Sequence, residues 1–163
     1  MTEITIERVN TGNFHEFADL VERLTDYEHL LPPDAAARER LRVDALAEPP
    51  KYEAYLGRVD GRAVGYITFF FTYSTFLARP TLYLEDIFVL EEERGRGVGK
   101  ALFEYCRRVA GDRGCGRMEW MVLTWNEPAI RFYERCGGER LDWHIYRLDG
   151  ENLTGRRSAA SGT

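Results

Sequence analysis

The sequence predicts an α/β fold in which helices flank a mixed central β-sheet. Short runs rich in β-branched, aromatic and leucine residues have the length and composition of strands. Longer stretches between them repeat apolar residues at helical spacing. Asp60-Gly61, between two apolar runs, is a strong two-residue hairpin turn and requires an antiparallel strand pair. The order strand, two helices, three strands, helix, strand, helix, strand is typical of an α/β protein with a mixed sheet.

Length and composition indicate one globular domain, and the net charge mildly favours cationic small molecules as partners. A chain of 163 residues, 44% of them hydrophobic, is long enough to bury one core. We place this domain at residues 1–149 and a flexible tail, rich in Gly, Ser, Arg and Thr, at residues 150–163. The net charge of −5 argues against a nucleic-acid partner. Without a bilayer-length apolar run or a signal-peptide pattern, we expect a cytoplasmic protein with no membrane partner.

Caps, prolines and glycines set the boundaries of the predicted elements. The predicted helices run from Asn13 to Pro32, from Asp34 to Ala47, from Val98 to Gly111 and from Asn126 to Gly137. The predicted strands are Glu3–Val9, Tyr52–Val59, Arg62–Tyr73, Leu82–Leu90, Gly116–Thr124 and Leu141–Leu148. A loop containing Pro80 is predicted at Ser74–Thr81.

The strongest functional pattern is the glycine-rich turn that follows the fourth predicted strand. The turn reads Arg94-Gly95-Arg96-Gly97-Val98-Gly99 and leads directly into an amphipathic helix. Glycines at the start of a helix leave backbone N–H groups directed at one spot, with the positive end of the helix dipole behind them. The two arginines add donors suited to phosphate oxygens. A structural turn with three glycines is the alternative, but the arginines and the immediate helix favour a phosphate cradle.

Two better-known phosphate motifs are excluded at this turn. A dinucleotide-binding G-x-G-x-x-G would need glycine where the chain has Lys100. A Walker P-loop would need glycine at Arg94 and serine or threonine at Ala101. No metal site is expected, because the three cysteines and three histidines share no ligand spacing.

Glu85 and Asp86 interrupt the apolar strand that precedes the turn. Side chains alternate along a strand, so we expect these two on opposite faces, with at most one in a given cleft. A carboxylate in a mostly apolar strand tends to have a raised pKa, which suits a general base. The structural alternative is that these two carboxylates lie at a sheet edge or form salt bridges with arginines. Tyr133 also has a structural alternative. It lies on a capped helix, and a tyrosine on such a helix is more often a core residue than a catalytic one.

Taken together, these motifs resemble the GCN5-related N-acetyltransferase (GNAT) superfamily. The resemblance spans Ile4 to about Leu148 and rests on Arg94-x-x-Gly97-x-Gly99 after a strand, with Asn126 and the Phe132-Tyr133 pair on a later helix. Within the superfamily the chain looks like the spermidine/spermine (diamine) N-acetyltransferase group. The segments that carry this finer likeness are Tyr83–Val89, Trp125–Tyr133, Phe71-Thr72-Tyr73 and Tyr27-Glu28.

The resemblance implies acetyl-CoA as cofactor, a small-molecule amine as substrate, and a homodimer. Glu85 would take the amine proton and Tyr133 would protonate the departing thiolate. The implied substrate residues are Tyr27, Glu28, Glu85, Asp86 and Asp142. The implied cofactor residues are Phe88, Val89, Arg94, Gly95, Arg96, Gly97, Val98, Gly99, Lys100, Asn126 and Tyr133.

The chain departs from the diamine group at one position. That group usually carries an acidic residue directly after the Phe-Thr-Tyr, where it helps to hold the second amine, and here the residue is Ser74. A diamine, polyamine or lysine-like amine, attacked directly in a ternary complex, is the expected acceptor. A protein or peptide acetyltransferase and a non-catalytic acyl-CoA-binding module are the alternatives.

Overall fold

A computed structural model describes residues 3–153. Its strands are β1 (Ile4–Arg8), β2 (Glu53–Val59), β3 (Arg62–Ser74), β4 (Arg79–Val89) and β5 (Arg117–Trp120). Its helices are α1 (Phe14–Tyr27), α2 (Ala35–Leu46), α3 (Val98–Asp112), α4 (Glu127–Arg135) and α5 (Gly150–Leu153), with a short 3-10 helix at Glu91–Glu93. None of the helices among these residues is both long and apolar enough to cross a membrane.

The predicted mixed sheet is confirmed. Its five strands lie in the order β1-β2-β3-β4-β5. Strands β1 to β4 each pair antiparallel with the next strand along the chain, and β5 pairs parallel with β4. The parallel pair requires a crossover, which α3 supplies.

Two compact units make up the chain, Met1–Trp125 and Asn126–Thr163. The first unit holds the whole sheet and α1 to α3, and the second holds α4 and α5. The predicted candidate residues are therefore divided between the two units.

The first unit buries one sheet face under α1. Phe17 lies edge-on to Tyr66 of β3, with ring centroids 5.2 Å apart. This packing belongs to one buried cluster of α1 and sheet residues: Val9, Phe14, Phe17, Ala18, Leu20, Ala54, Leu56, Tyr66 and Phe88. The same packing holds the C-terminal end of α1 near the end of β4.

Helix α3 covers the opposite face. Val98 and Leu102 approach Gly57 of β2 so closely that a Cβ built there would lie 3.2 Å from both side chains. The Tyr105 ring packs on Tyr55, 4.6 Å between centroids. Because α3 begins right after the glycine turn, its packing fixes where that turn lies.

The N-terminal half of the chain differs from the sequence expectation in three places. Asn13 does not cap α1 with its side chain, which instead accepts the Asn10 N–H at 2.7 Å. Helix α1 ends at Tyr27, and Leu31, expected in its apolar stripe, is 93% exposed. The predicted loop Ser74–Thr81 is a turn only at residues 75–78, because β3 extends to Ser74 and β4 begins at Arg79. Pro80 is tolerated near the start of β4, where its carbonyl accepts the Gly116 N–H at 2.9 Å.

The predicted last strand is wrong. Residues 141–149 have no regular secondary structure. Their apolar side chains are mostly exposed, Trp143 to 81% and Tyr146 to 92%. Alternating side chains favour a strand only where a neighbour supplies backbone hydrogen bonds, and no described strand pairs with this segment. The predicted tail begins with α5, and its residues 154–163 lie outside the described range.

Phe17→Ala should destabilise the protein strongly, because Phe17 is 1% exposed and joins α1 to the sheet. We expect the free energy of unfolding to fall by about 3–5 kcal/mol. Phe76→Ala is the matched control, since Phe76 is 99% exposed, and should change it by less than about 0.5 kcal/mol. Urea titration followed by circular dichroism measures both, and equal effects would contradict the packing of Phe17 between α1 and the sheet.

Candidate active site

A β-bulge brings the carboxylates of β4 to the site. Thr68 of β3 pairs with Asp86, but the next residue, Phe69, pairs with Leu84, so Glu85 is an extra residue with no partner on β3. The strict alternation assumed from the sequence therefore does not hold across Leu84, Glu85 and Asp86. Asp86 shares the α1 face with Thr68, whose hydroxyl Oγ1 donates to its Oδ2 at 3.0 Å.

The Asp86 carboxyl has a raised pKa, of about 6. Burial is the main cause, and the negative charges of Glu85 and Glu28 add to it. The hydrogen bond from Thr68 acts in the opposite direction by stabilising the carboxylate. The raised value predicted for a carboxylate in this strand is thus found at Asp86.

Glu28 extends the acidic cluster from the end of α1. It follows the last helical residue, and its N–H donates to the Leu24 carbonyl at 2.9 Å. Burial raises the pKa of its carboxyl. Glu28, Glu85 and Asp86, from two elements, are therefore close enough for their charges to act on one another, and this concentration of negative charge favours a cationic ligand.

Two tyrosines lie within reach of these charges. Tyr66 is fully buried, and its hydroxyl has no hydrogen-bond partner among the described residues. Burial and the charges of Asp86 and Glu28 raise its pKa well above the usual value. The Tyr52 hydroxyl donates to the Leu41 carbonyl at 2.8 Å.

Tyr66 and Thr68 are not among the site residues predicted from the sequence. Because they are two residues apart on a predicted strand, the sequence does indicate that their side chains share one face of the sheet. Only the bulge shows that Asp86 shares that face.

The glycine turn has the predicted form. Gly95 and Gly97 have φ angles of +78° and +90°, in the left-handed region that favours glycine. Gly97 is the N-cap of α3 and has no side chain to accept the first helical N–H groups. A Cβ built at Gly95 would meet no atom within 4 Å. Helix N–H groups that no cap side chain occupies suit a pyrophosphate, so these residues fit the implied cofactor.

The two arginines of the turn also hold protein groups. Arg94 Nε donates to the Val89 carbonyl at 3.1 Å, and its guanidinium lies 4.9 Å from the centre of the Tyr27 ring. Arg96 forms an ion pair with the buried Glu93, which also pairs with Arg62. Arg94 thus connects the end of β4 with the predicted substrate residue Tyr27, while Arg96 orders the turn.

Strand β4 has one open edge next to the turn. Its pairing with β5 stops at Leu84 and Trp120, while β4 continues to Val89. No strand in residues 3–153 pairs with Glu85–Val89 on that side. An extended ligand arm could form backbone hydrogen bonds with such an edge, as an added strand does.

Three predicted residues belong to the second unit. Asn126 caps α4, its side chain accepting the Ala129 N–H at 3.4 Å. Tyr133 is half-buried on α4, with its ring 5.4 Å from that of Phe132. Asp142 is exposed in the segment without regular structure.

The family is shown by comparison with known proteins. The profile described as Acetyltransferase (GNAT) family matches residues 17–138. The chain therefore belongs to the GNAT acetyltransferase family, as its motifs predicted. It is an N-acetyltransferase, and its acyl donor is acetyl-CoA.

Named relatives and a solved structure agree with this membership. A thialysine N-epsilon-acetyltransferase from Bos taurus is 32% identical, over 94% of this chain and 96% of the relative. A human spermidine/spermine N(1)-acetyltransferase-like protein 1 is 25% identical, over 94% of this chain and 24% of that protein. The fold is shared with an aminoglycoside N-acetyltransferase, AAC(6')-Iy, solved in complex with CoA (TM-score 0.75, 22% identity, 92% of this chain and 97% of that one).

Gly97→Ala should weaken CoA binding. An alanine at φ +90° is strained by about 1–2 kcal/mol, and relieving that strain would turn the backbone N–H groups of the cradle away. We expect about a tenfold loss of CoA affinity by calorimetry. Gly61→Ala, at φ +83° in the β2–β3 turn, has similar strain and should lower stability with CoA affinity unchanged. Equal losses of affinity in both variants would contradict a cradle at Gly97.

Asp86→Asn should stabilise the folded protein at neutral pH. A carboxyl whose pKa is higher in the folded state than in the unfolded chain binds its proton more tightly when folded, so stability falls as pH rises through both values. With a folded pKa of about 6, this loss occurs between about pH 4 and pH 6.

Asp86→Asn removes the free-energy cost of keeping a charged carboxylate at this partly buried position. We expect it to exceed the wild type by about 1–3 kcal/mol at pH 7.5 and to lose its advantage towards pH 4. Thr68→Val should move the wild-type transition to higher pH, because it removes the hydrogen bond that stabilises the carboxylate. Urea titrations across this pH range test both, and a difference that does not vary with pH would be evidence against the buried carboxylate.

Proposed function

We propose that this enzyme acetylates a primary amine of a small cationic molecule, a diamine, polyamine or lysine-like amino acid. The observation that carries the proposal is the acidic cluster at the bulge, where the negative charges of Glu28 and Glu85 act on Asp86 beside the open edge of β4. A cationic group entering this cluster gains attraction from several carboxylates. The bovine relative is named for acetylation of thialysine, a lysine-like amine, which supports the proposal.

The chemical difficulty is the proton on the acceptor. An alkyl amine has a pKa of about 10.4, so roughly one molecule in 2,500 is neutral at pH 7. Removing the proton at that pH therefore costs about 4–5 kcal/mol. A carboxylate such as Asp86, whose pKa is about 6, can take up a proton near neutral pH and release it again. The resemblance assigns the base to Glu85 and gives Asp86 the task of shaping the site.

We propose direct attack in a ternary complex rather than a covalent acyl-enzyme. Acetyl-CoA, when bound, supplies the activated acetyl group. The turn from Arg94 to Lys100 would bind its pyrophosphate through backbone N–H groups, and Phe88 and Val89 would line its pantetheine arm. Asn126 is proposed to hydrogen-bond the same arm and Tyr133 to protonate the thiolate that leaves. Asp142 remains a predicted contact of the acceptor, and the homodimer and the cytoplasmic location remain predictions.

Ser74 bears on which amine is accepted. It is 4% exposed at the end of β3, and its Oγ accepts the Leu77 N–H at 3.2 Å. Its side chain therefore organises the β3–β4 turn. Without an acid at this position, we propose that lysine-like amino acids are preferred over polyamines.

Turnover on a panel of amines tests the proposal. Release of CoA thiol would be followed with thialysine, lysine, putrescine, spermidine, an aminoglycoside and a short peptide with a free N-terminus. We expect thialysine or another small amine to exceed the peptide at least a hundredfold in kcat/KM. A preference for the peptide would overturn the small-amine proposal.

The same assay tests Tyr133. Tyr133→Phe should lower kcat by about 10- to 100-fold and leave CoA affinity unchanged, because only the acid is lost. Tyr73→Phe, on a side chain that is 64% exposed, is the control. Unaltered turnover of Tyr133→Phe would remove Tyr133 from the acid role.

A further inference from the structure

We propose that the ion pair between Arg117 and Glu119 on β5 binds the head group of an α-amino acid acceptor, Arg117 its α-carboxylate and Glu119 its α-ammonium. The ammonium at the other end of the acceptor then lies at the acidic cluster. The inference rests on the proposed function and narrows its substrate class to lysine-like α-amino acids. In it Arg117 and Glu119 determine specificity and take no part in the chemical step.

Arg117 and Glu119 lie on the sheet face that carries the acidic cluster. They alternate along β5 with Trp120, whose ring packs edge-on against Phe103 of α3 with centroids 5.3 Å apart. Their side chains therefore project from the face opposite α3. Asp86 is on the same side of the sheet, which is the face that α1 packs on.

Tyr83 connects the ion pair to the acidic cluster. In the parallel pairing of β4 with β5 it stands opposite Glu119, and Glu85 follows it two residues later on β4. Burial and the negative charges of Glu85 and Glu119 raise the pKa of its phenol, so both carboxylates lie near it. Glu85 also acts on Asp86. Glu119, Glu85 and Asp86 thus follow one another along one surface.

The spacing along this surface fits a side chain of lysine length. Neighbouring strands are about 4.8 Å apart and two residues of a strand span about 6.6 Å, so the Cα atoms of Glu119 and Glu85 are about 8 Å apart. In extended lysine the α-carbon and the terminal nitrogen are about 6 Å apart. An amino acid of this length can place its head group at the ion pair and its terminal ammonium at Glu85.

An apolar surface lies between these two ends. The Tyr83 ring packs against Phe70 of β3 with centroids 5.1 Å apart, and both residues are half-buried. Methylene groups gain from burial against such rings, and a thioether sulfur makes favourable contacts with them. The chain of the acceptor between its charged ends therefore has a matching apolar contact.

The ion pair distinguishes a zwitterion from a simple ammonium. Arg117 Nε lies 2.9 Å from Glu119 Oε1, and the two side chains are 46% and 36% exposed, so a ligand can reach both. The pair has no net charge, so an ammonium that Glu119 attracts is also repelled by Arg117. A head group with a carboxylate and an ammonium satisfies both partners through charge-assisted hydrogen bonds.

A purely structural role for the pair, in holding β5, is the alternative. An exposed ion pair adds little to stability, so this role predicts no change of substrate preference when either partner is replaced. Arg42 and Glu39 form an exposed pair on α2, which carries none of the residues proposed to bind the acceptor. Arg42→Gln is therefore the matched control.

Three acceptors with the same aminoalkyl chain test the head group in the wild type. Lysine has both head-group charges, cadaverine lacks the carboxylate and 6-aminohexanoate lacks the α-ammonium. Release of CoA thiol is followed at saturating acetyl-CoA. We expect kcat/KM for lysine to exceed that for either analogue at least tenfold. Most of the difference should lie in KM, because the reacting end of the three acceptors is the same.

Replacing one partner should change the order of these acceptors. Arg117→Gln should raise KM for lysine and 6-aminohexanoate about tenfold and lower KM for cadaverine, whose second ammonium then meets Glu119 alone. Glu119→Gln should raise KM for lysine and cadaverine and lower KM for 6-aminohexanoate. We expect kcat to stay within about twofold, and Arg42→Gln to leave all three acceptors unchanged. Opposite changes on two acceptors cannot come from a misfolded variant.

Two results would overturn the inference. One is a wild type with equal kcat/KM for lysine and cadaverine; the other is an Arg117→Gln variant that changes KM for all three acceptors by the same factor. Calorimetric titration of lysine and cadaverine into enzyme saturated with CoA measures the same preference without turnover. A wild type that acetylates no small amine would count against the proposed function, and the titration would still decide whether Arg117 and Glu119 bind the head group.

Discussion

The pairing of β3 with β4 is the constraint on which the site depends. One extra residue, Glu85, changes the register between Thr68–Asp86 and Phe69–Leu84. Because side chains alternate along a strand, this insertion changes the face of the residues beyond it and puts Asp86 beside α1. The same half of β4 extends past β5 and ends at the glycine turn, so the acceptor site and the cofactor turn share one strand.

Burial raises the pKa values of the Asp86 and Glu28 carboxyls and lowers the stability of the folded protein. Asp86 would be more stable in water, and the packing of α1 over the sheet keeps it and Glu28 partly away from solvent. The arginines nearest in sequence do not neutralise the cluster, because Arg96 pairs with Glu93 and Arg94 holds Val89 and Tyr27. The site thus retains excess negative charge, which is suited to a cationic acceptor.

Local signals in the sequence predicted most of the fold. The Asp60-Gly61 turn, the Asn126 cap and the glycine turn each depend on a few neighbouring residues and appear as predicted. Leu141–Leu148 failed, since its alternation says nothing about whether a partner strand exists. The site was predicted in part: the acidic residues and the turn were found, but the two polar residues of β3 were read as ordinary strand.

The sequence by itself determined the class of protein, its cofactor turn and the presence of two carboxylates, because these depend on residue type and short spacing. The tertiary structure decided which of the two carboxylates is the more buried and which neighbours raise its pKa. These properties depend on a register shift between strands and on the packing of α1, which bring together residues far apart in the chain. Neither a bulge nor burial is encoded in the spacing of a single strand.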